Sequence, residues 1–182
     1  MNEALLVIDV QNDYFPNGAN ELYKVQEAEN KILDLISASR VCDRPIIYIQ
    51  HINPPDDYFL LEGTHGAELS DRIKPQVNDK IIIKRYPNSF FETELNDYLH
   101  TLGVDTLIVC GMMTHMCVDT TVRAASDYGY KVKLVSDACA TMDLNLNGEI
   151  IPAETVQKVS LASLNEVFAE IVPSIQIKEQ KV

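Results

Sequence analysis

The sequence has few basic residues for its length, and it lacks long apolar runs. It carries 15 Lys and Arg residues against 27 Asp and Glu residues among 182 positions, which gives a net charge of −12. This excess of negative charge argues against nucleic-acid binding, because such a surface must neutralise phosphates with Lys and Arg. No apolar run approaches the roughly 20 residues of a membrane span, and Met1–Glu3 lack the basic segment of a secretory signal. We therefore expect a cytoplasmic protein that binds neither nucleic acid nor membranes.

Cysteine is also scarce, and the cysteines are not arranged in pairs. Cys42, Cys110, Cys117 and Cys139 show no C-x-x-C spacing and no neighbouring cluster of histidines, so the pattern does not indicate a structural zinc site. In a reducing compartment we expect these thiols to remain free of disulfides. Cys110 and Cys139 stand in or beside apolar runs, where a buried core thiol is the simplest interpretation.

The length and composition indicate one domain spanning residues 1–182. The sequence is 46% apolar and 23% charged, which is ordinary for a globular protein, and a domain of this size buries roughly 70% of the surface of its unfolded chain. Residues 52–78 form the longest irregular stretch. Two interpretations stay open for it, a lid over a site and a plain connection with one short helix.

Short β-branched runs alternate with amphipathic stretches along the chain. The runs are apolar at successive positions rather than at alternating ones, which indicates burial on both faces, as in a parallel sheet covered by helices. The sequence therefore predicts a doubly wound α/β domain. Ser89-Phe90-Phe91-Glu92 has the form of a capping box for the second helix. The predicted strands are 4–9, 45–50, 80–84, 106–110, 132–135 and 174–177, and the predicted helices are 27–40, 90–102, 117–128 and 154–171.

Three reactive side chains stand at or beyond the carboxyl ends of predicted strands. Asp9 ends the first strand, Lys84 ends the third, and Cys117 follows the fourth where a helix is predicted to begin. Ligands of doubly wound sheets bind beyond these strand ends, so we expect the three side chains to share one site. Singly, each has a simpler interpretation as a turn residue, a solvated strand end or a packed thiol. A helix N-terminus and a nearby ammonium stabilise a thiolate, which favours a nucleophilic Cys117 with a lowered pKa.

The same segments resemble the isochorismatase-like cysteine hydrolases, a superfamily that includes nicotinamidases and N-carbamoylsarcosine amidase. The resemblance rests on Asp9–Phe15 (DVQNDYF), on Lys84 after its apolar run, and on Gly111–Val118 (GMMTHMCV). It extends through Ser136–Thr141 to the last helix. It implies a six-stranded parallel sheet of order 3-2-1-4-5-6, flanked by helices on both faces, and an Asp-Lys-Cys catalytic triad.

The resemblance also implies a role for each residue of the triad. Asp9 would take the thiol proton and later give it to the leaving amine, and Lys84 would hold the thiolate and orient Asp9. Cys117 would attack a carbonyl carbon and form a thioester that water hydrolyses. A cis peptide is implied between Met112 and Met113, with the N–H groups of Met113 and Cys117 forming an oxyanion hole.

One departure from the family concerns metal binding. Nicotinamidases of this family carry an Asp-x-His…His metal site after the second strand. Here the segment Gln50–Pro55 reads QHINPP, with His65 far along the loop, and the aspartate is missing. We therefore expect no catalytic metal and no other cofactor, and nicotinamide is disfavoured as the substrate. His51 either lines the substrate pocket or is a satisfied polar residue at a strand end.

The expected substrate pocket is apolar and aromatic, although core packing is the simpler interpretation of each single Phe and Met. Gln11 and Asp13 are expected to hold the loop after the first strand rather than to touch substrate. Because many family members assemble so that neighbours complete the pocket, the resemblance implies a homodimer or a homotetramer. The predicted substrate-contacting residues are Phe15, His51, Phe59, Asn88, Phe90, Met112, His115 and Met116.

Three functions remain open at this point. The favoured one is a metal-independent cysteine hydrolase that cleaves the C–N bond of a small amide, ureido compound or lactam through a thioester. The second is an isochorismatase-type hydrolase of a vinyl ether, which Cys117 disfavours because some true isochorismatases lack that cysteine. The third is a non-catalytic thiol-sensing or binding protein on the same fold.

Overall fold

A parallel six-stranded sheet organises the chain. The computed structural model describes residues 2–178, so residue 1 and residues 179–182 of the expected domain lie outside the described residues. Among the described residues, no helix has both the length and the apolar composition needed to cross a bilayer. The helices and strands, in chain order, are β1 (Glu3–Ile8), α1 (Val25–Val41), β2 (Ile46–His51), β3 (Lys80–Lys84), α2 (Leu95–Thr101), β4 (Thr106–Met112), α3 (Asp119–Asp127), β5 (Lys131–Ala140), β6 (Leu144–Leu146), β7 (Glu149–Ile151), α4 (Ala153–Leu164), β8 (Glu170–Val172) and α5 (Ser174–Lys178).

The strand order of the large sheet is β3-β2-β1-β4-β5-β8, and all five pairings are parallel. This confirms the predicted doubly wound α/β fold and its strand order, with β8 as the sixth strand of the sheet. Strands β6 and β7 form a separate antiparallel hairpin. The strand order reverses between β1 and β4, so the carboxyl ends of these two neighbours flank the place where such folds bind ligands.

Strand β1 lies at the centre of the core. Ala4–Ile8 have no exposed surface, because helices cover both faces of the sheet. Leu5 and Val7 belong to the apolar cluster that includes Leu35 of α1, whereas Leu6 and Ile8 belong to the cluster that includes Leu95 of α2. Full burial of each large aliphatic side chain contributes about 1.5–3 kcal/mol. The burial on both faces that the sequence predicted is therefore found at this strand.

Strand β3 departs from that expectation because it is an edge strand. Ile82 is buried, but Ile81 is 42% exposed and Ile83 is 57% exposed. Their register partners on β2 are Tyr48 and Gln50, so both isoleucines face the same side of the sheet as Tyr48. The connection from β2 to β3 contains only a short 3₁₀ turn at His65–Ala67, which leaves this part of the sheet without a covering helix.

The predictions of the last strand and of the end of the fourth helix are wrong. Ser174–Ile177 lie in helix α5, and the sixth strand is Glu170–Val172, which begins within the predicted helix 154–171. Helix α4 ends at Leu164, because the next residue is extended (φ −61°, ψ 141°). The side chain of Asp137 accepts hydrogen bonds from both the N–H (2.7 Å) and the hydroxyl (2.8 Å) of Ser174. This carboxylate caps α5 from 37 residues away, which a local sequence pattern does not reveal.

The second helix is shorter than expected, and the predicted capping box does not start it. Helix α2 begins at Leu95. The Ser89 hydroxyl lies 2.9 Å from the Thr121 hydroxyl instead, and Glu92 has a left-handed φ of 54°. Residues 88–94 therefore form turns, of which one is closed by the Asn88 side-chain oxygen accepting from the N–H of Phe90.

Candidate active site

Asp9, Lys84 and Cys117 meet at the carboxyl edge of the sheet. The Nζ atom of Lys84 lies 2.7 Å from Oδ2 of Asp9 and 3.2 Å from Sγ of Cys117. Asp9 is 0% exposed, Lys84 is 1% exposed and Cys117 is 6% exposed. The three side chains that the sequence placed at one sheet edge thus form a single buried group.

Asp9 is positioned by a tight approach of two strands. Its backbone has a left-handed φ of 49°, which Asp tolerates better than most residues, and its N–H donates to the carbonyl of Ile49 at 3.0 Å. Gly111 on β4 (φ +126°) pairs in register with Ile8, the residue before Asp9, and a Cβ at Gly111 would lie 2.0 Å from the carbonyl oxygen of Ile8. Only glycine allows β4 to approach this closely beside Asp9.

Cys117 lies in a π-helical turn and not at the start of an α-helix. The turn spans Thr114–Val118, and α3 follows from Asp119, so the predicted helix start at Cys117 is wrong. The peptide bond between Met112 and Met113 is cis, and the carbonyl of Met113 accepts the N–H of Val118 at 3.2 Å. The hydrogen bond from Val118 to Met113 spans five residues, so this turn is wider than an α-helical turn, in which the bond spans four. The oxyanion hole formed by the N–H groups of Met113 and Cys117 stays a prediction.

The surroundings of Cys117 favour the neutral thiol. Burial raises the pKa of Cys117 to about 12, the charge of Asp9 acts in the same direction, and Lys84 opposes both. The lowered pKa expected from a helix start therefore does not result. Burial alone would lower the pKa of Lys84, but the charges of Asp9 and Cys117 outweigh it and leave that pKa raised. The resting site consequently contains a Lys84 ammonium and a neutral Cys117 thiol.

The Asp9 carboxylate has open hydrogen-bonding capacity. Among residues 2–178, no donor makes a hydrogen bond of good geometry to either carboxylate oxygen of Asp9. Oδ2 is nevertheless within ion-pair distance of Lys84. Buried acceptors normally have partners. The thiol of Cys117 is a neighbouring proton donor, and transfer of its proton would satisfy the carboxylate.

Sequence reasoning missed two further contacts of the Lys84 ammonium. Nζ lies 2.8 Å from Nδ1 of His51 and donates to the carbonyl oxygen of Tyr86 at 3.1 Å. Nε2 of His51 in turn lies 2.7 Å from Oδ1 of Asn53. The signal was present in the sequence, because residues two apart in an extended chain point to the same side. The His51-x-Asn53 spacing could have predicted a contact between these side chains.

The metal site of the nicotinamidases does not fit these residues. Donor atoms of Asp9, His51 and Cys117 lie within 4.8 Å of one another, and they are ligand types that zinc accepts. The Lys84 ammonium, however, contacts all three, at 2.7, 2.8 and 3.2 Å. A built-in cation therefore takes the place that a metal would need. His65 is exposed, and its ring contacts Glu68 and Asp71.

Gln11 and Asp13 hold the loops above the site, as expected. Nε2 of the buried Gln11 donates to the carbonyls of His51 (2.8 Å) and Ala67 (2.7 Å), and Oε1 accepts the N–H of His51 at 2.8 Å. The Asp13 carboxylate accepts the N–H of Leu60 at 2.6 Å. The irregular segment 52–78 is therefore fastened to the loop after β1 at two points, Leu60 and Ala67.

The predicted substrate-contacting residues occupy different environments. Phe15 and Phe59 are half-buried against the α1-side core, and Met116 is 41% exposed. His115 is half-buried with Nδ1 2.6 Å from the Thr141 hydroxyl. These four keep accessible surface, as does the half-buried Asn88, whose side-chain oxygen accepts the N–H of Phe90. Met112 is fully buried, and the buried Phe90 packs against Tyr128 and Tyr130. Contact of these residues with substrate stays a prediction.

Tyr14 is a further residue that the sequence analysis did not single out. It is buried, and its ring centroid lies 6.0 Å from that of Phe59. Burial raises the pKa of Tyr14 far above its usual range, and the nearby charges of Asp9 and Cys117 add to the effect. The phenol therefore stays protonated beside the triad. Its position inside the Asp9–Phe15 motif was the available signal.

The isochorismatase domain model matches residues 3–176 of the chain. The chain belongs to the isochorismatase family. It is 44% identical over 172 residues to the uncharacterised isochorismatase family protein YddQ of Bacillus subtilis, which covers 94% of this chain and 96% of that protein. A crystal structure of an isochorismatase from Pseudomonas putida superposes with a TM-score of 0.91 at 35% identity, over 96% of this chain and 89% of that chain.

Relatives with named activities are more distant. Nicotinamidase 3 of Arabidopsis thaliana is 32% identical over 157 residues, 79% of this chain and 76% of that protein. The streptothricin hydrolase of Streptomyces noursei is 30% identical over 94% of this chain and 62% of its own length. A cysteine hydrolase from Pseudomonas syringae has a TM-score of 0.91 at 28% identity, over 97% of this chain and 91% of that chain. The chain is thus a hydrolase of the isochorismatase family.

Proposed function

We propose that this protein is a metal-independent cysteine hydrolase that cleaves the C–N bond of a small amide, ureido compound or lactam through a thioester. The observation that carries the proposal is the buried contact of the Lys84 ammonium with both Asp9 and Cys117. A lone buried cysteine would be a packing residue. A carboxylate and an ammonium beside it, both withdrawn from water, supply a base and a cation for a nucleophile.

The relatives support C–N cleavage as the reaction class. Nicotinamidase 3 and the streptothricin hydrolase are hydrolases by name, and a maleamate amidohydrolase of Pseudomonas putida is 26% identical over 74% of this chain. Nicotinamidases and amidohydrolases act on carboxamides. Nicotinamide itself is disfavoured as the substrate here, because the residues at the nicotinamidase metal position do not fit a metal.

The proposed reaction begins with proton transfer. The thiol proton of Cys117 moves to Asp9 as Sγ attacks the carbonyl carbon, and the Lys84 ammonium balances the charge on sulfur. The N–H groups of Met113 and Cys117 would stabilise the oxyanion of the tetrahedral intermediate, and loss of one such donor typically slows a reaction by about 10²–10³. Asp9 then gives its proton to the leaving nitrogen as the C–N bond breaks.

The second half of the reaction regenerates the thiol. Asp9 is again a carboxylate and accepts a proton from a water molecule, whose oxygen attacks the thioester carbon. The new tetrahedral intermediate collapses by breaking the C–S bond, and the proton on Asp9 returns to the Cys117 sulfur. The products are a carboxylic acid and an amine or ammonia, so one water is consumed in each cycle.

A substrate panel combined with cysteine variants tests the proposal. The panel contains small carboxamides, ureido acids and lactams, and the measurement is release of ammonia or amine. We expect at least one compound to be hydrolysed and Cys117→Ala to abolish the activity. Cys139→Ala is the matched control, because Cys139 is a buried thiol of the same apolar cluster whose pKa burial also raises to about 12; it should retain turnover.

The other two functions are outcomes of the same experiment. Hydrolysis of isochorismate that persists in the Cys117→Ala variant would establish the vinyl ether hydrolase and contradict the covalent mechanism. A Cys117 that reacts with alkylating agents while no compound is hydrolysed would support the thiol-sensing protein. A probable inactive nicotinamidase of Arabidopsis thaliana is 32% identical over 76% of this chain. The experiment must therefore distinguish a catalytic protein from a non-catalytic one.

We further propose a cytoplasmic homodimer or homotetramer built from one domain of residues 1–182. All four cysteines lie within the described residues and are free thiols, which fits a reducing compartment. Leu146 and Ile150 on the β6–β7 hairpin are largely exposed. Because a two-stranded hairpin alone is marginally stable in water, packing of these side chains against a neighbouring subunit would stabilise it. Light scattering coupled to gel filtration tests the assembly, and a monomeric mass would contradict it.

A further inference from the structure

The Lys84 ammonium has more acceptors than hydrogens. An ammonium donates three hydrogen bonds, and four acceptors surround Nζ: Asp9 Oδ2 at 2.7 Å, His51 Nδ1 at 2.8 Å, Tyr86 O at 3.1 Å and Cys117 Sγ at 3.2 Å. Three of these contacts have hydrogen-bond geometry, those to His51, Tyr86 and Cys117, whereas Asp9 Oδ2 is an ion-pair partner that accepts no hydrogen bond of good geometry. The three hydrogens of the ammonium therefore match His51, Tyr86 and Cys117, and Asp9 faces its charge.

We propose that His51 is a positioning residue that, with the carbonyl of Tyr86, fixes two hydrogens of the Lys84 ammonium and thereby directs the third at Cys117 Sγ. The proposal deepens the proposed function and rests on it. When the thiol proton passes to Asp9, the carboxylate becomes a neutral acid and the sulfur becomes a strong acceptor. The third hydrogen bond of the ammonium, to Cys117 Sγ at 3.2 Å, then strengthens, while Lys84 neither gains nor loses a proton.

This role requires one tautomer of His51. Nδ1 must accept from Lys84 and therefore carries no hydrogen, so the ring hydrogen is on Nε2 and is donated to Asn53 Oδ1 at 2.7 Å. The Asn53 amide is oriented in turn, because its Nδ2 donates to the carbonyl of Phe59 at 3.1 Å. Both ring nitrogens are thus engaged within the protein, which distinguishes positioning from direct contact with substrate.

The neutral ring is also the form that its surroundings favour. Burial lowers the pKa of His51 and the Lys84 ammonium adds to this, whereas Asp9, the Asn53 hydrogen bond and Asp57 act in the opposite direction. The charged and titratable groups facing the ring are therefore Lys84, Asp9, Asp57 and the Cys117 thiol. Protonation would place an N–H at Nδ1 against the ammonium and break that contact. Reactivity of Cys117 should therefore fall as the pH drops through the pKa of His51, below the ordinary value of 6.5.

The test measures alkylation of Cys117 by iodoacetamide between pH 4.5 and 9, with the Cys117 peptide quantified by mass spectrometry. This readout needs no substrate. In a plot of the alkylation rate against pH, we expect the wild-type curve to bend downward as the pH falls below the pKa of His51. Asn53→Asp should move the bend upward by about one pH unit or more, since an opposite charge beside the ring favours the imidazolium. His51→Asn keeps an acceptor near Nζ but cannot titrate, so the bend should disappear.

A further variant and a matched control complete the test. His51→Phe keeps the ring but removes the acceptor. It should slow alkylation by about ten-fold or more at pH values above the pKa of His51, the range for a lost hydrogen bond to a charged group, and it should show no bend. Asn145→Asp, in the exposed β6–β7 hairpin, introduces the same charge far along the chain. It should leave the profile unchanged.

Two results would overturn the positioning role. One is a bend that stays in place in Asn53→Asp and persists in His51→Asn. The other is a His51→Asn variant that raises KM for a hydrolysed compound but leaves kcat and the alkylation profile unaltered, since that pattern identifies substrate contact. The proposed function fails separately, if no compound is hydrolysed while the alkylation profiles respond as expected.

Discussion

Removing the Lys84 ammonium should destabilise the fold strongly, and removing its carboxylate partner as well should restore much of the loss. The perturbation is Lys84→Met, which keeps an unbranched chain of similar length but no charge. It leaves the Asp9 carboxylate at 0% exposure without the cation 2.7 Å away. Asp9→Asn combined with Lys84→Met removes both charges. Asn is the suitable replacement because it tolerates the left-handed φ of 49° at this position.

The expected magnitude follows from the burial of the pair. Breaking a buried ion pair by deleting one partner typically costs about 3–5 kcal/mol, because a charge stays behind in a medium of low dielectric constant. Replacing both partners leaves no such charge. We therefore expect Lys84→Met to cost about 3–5 kcal/mol. The double variant should lose at least about 2 kcal/mol less than the sum of the two single losses.

The assay is urea unfolding followed by circular dichroism, with the free energy in water obtained by linear extrapolation. Alkylation of Cys117 is measured on the same samples. Stability should recover in the double variant, whereas the reactivity of Cys117 should not, because both the base and the cation are gone. A double variant whose loss equals the sum of the two single losses would refute the coupling that the structure shows.

Two further predictions concern stability, each measured by the same unfolding experiment. Gly111→Ala should cost more than about 4 kcal/mol, because the new Cβ would meet backbone 2.0 Å away; Gly129→Ala, with φ +89° and nothing within 4 Å, should cost only about 1–2 kcal/mol, and equal losses would contradict the steric argument. Arg44→Ala removes a largely buried partner of Glu3 at 2.8 Å, while Lys133 stays 2.8 Å from the other Glu3 oxygen, so it should cost about 1.5–3 kcal/mol, the range for a hydrogen bond to a charged group. The exposed Arg85 ion pair should contribute less than about 1 kcal/mol, so Arg85→Ala is the control, and a loss as large as that of Arg44→Ala would contradict the account.

The triad could be predicted from the sequence because its positions follow from topology. Asp9 and Lys84 end or follow apolar runs that had to be parallel strands, and Cys117 follows such a run after a short turn. Once the fold is doubly wound, these strand ends meet at one edge whatever the side chains are. The prediction of a shared site therefore needed only strand positions and order.

The remaining features depend on contacts between distant residues. Asp137 caps helix α5 across 37 residues, so Ser174–Ile177 looked like a strand when their own apolar pattern was considered alone. The raised pKa of Cys117 depends on burial and on Asp9, neither of which a helix-start pattern contains. The contact of His51 with Lys84 depends on which way a ring nitrogen points, and a sequence does not specify that direction.

The central claim is that Cys117 forms a covalent acyl intermediate assisted by Asp9 and Lys84. The most direct measurement is intact-mass and peptide mass spectrometry of the protein quenched with acid during turnover of a hydrolysed amide. We predict an added mass equal to the acyl part of the substrate, located on Cys117 and lost on treatment with hydroxylamine. Full activity of Cys117→Ala on that amide, without any adduct in the wild-type protein, would contradict the account.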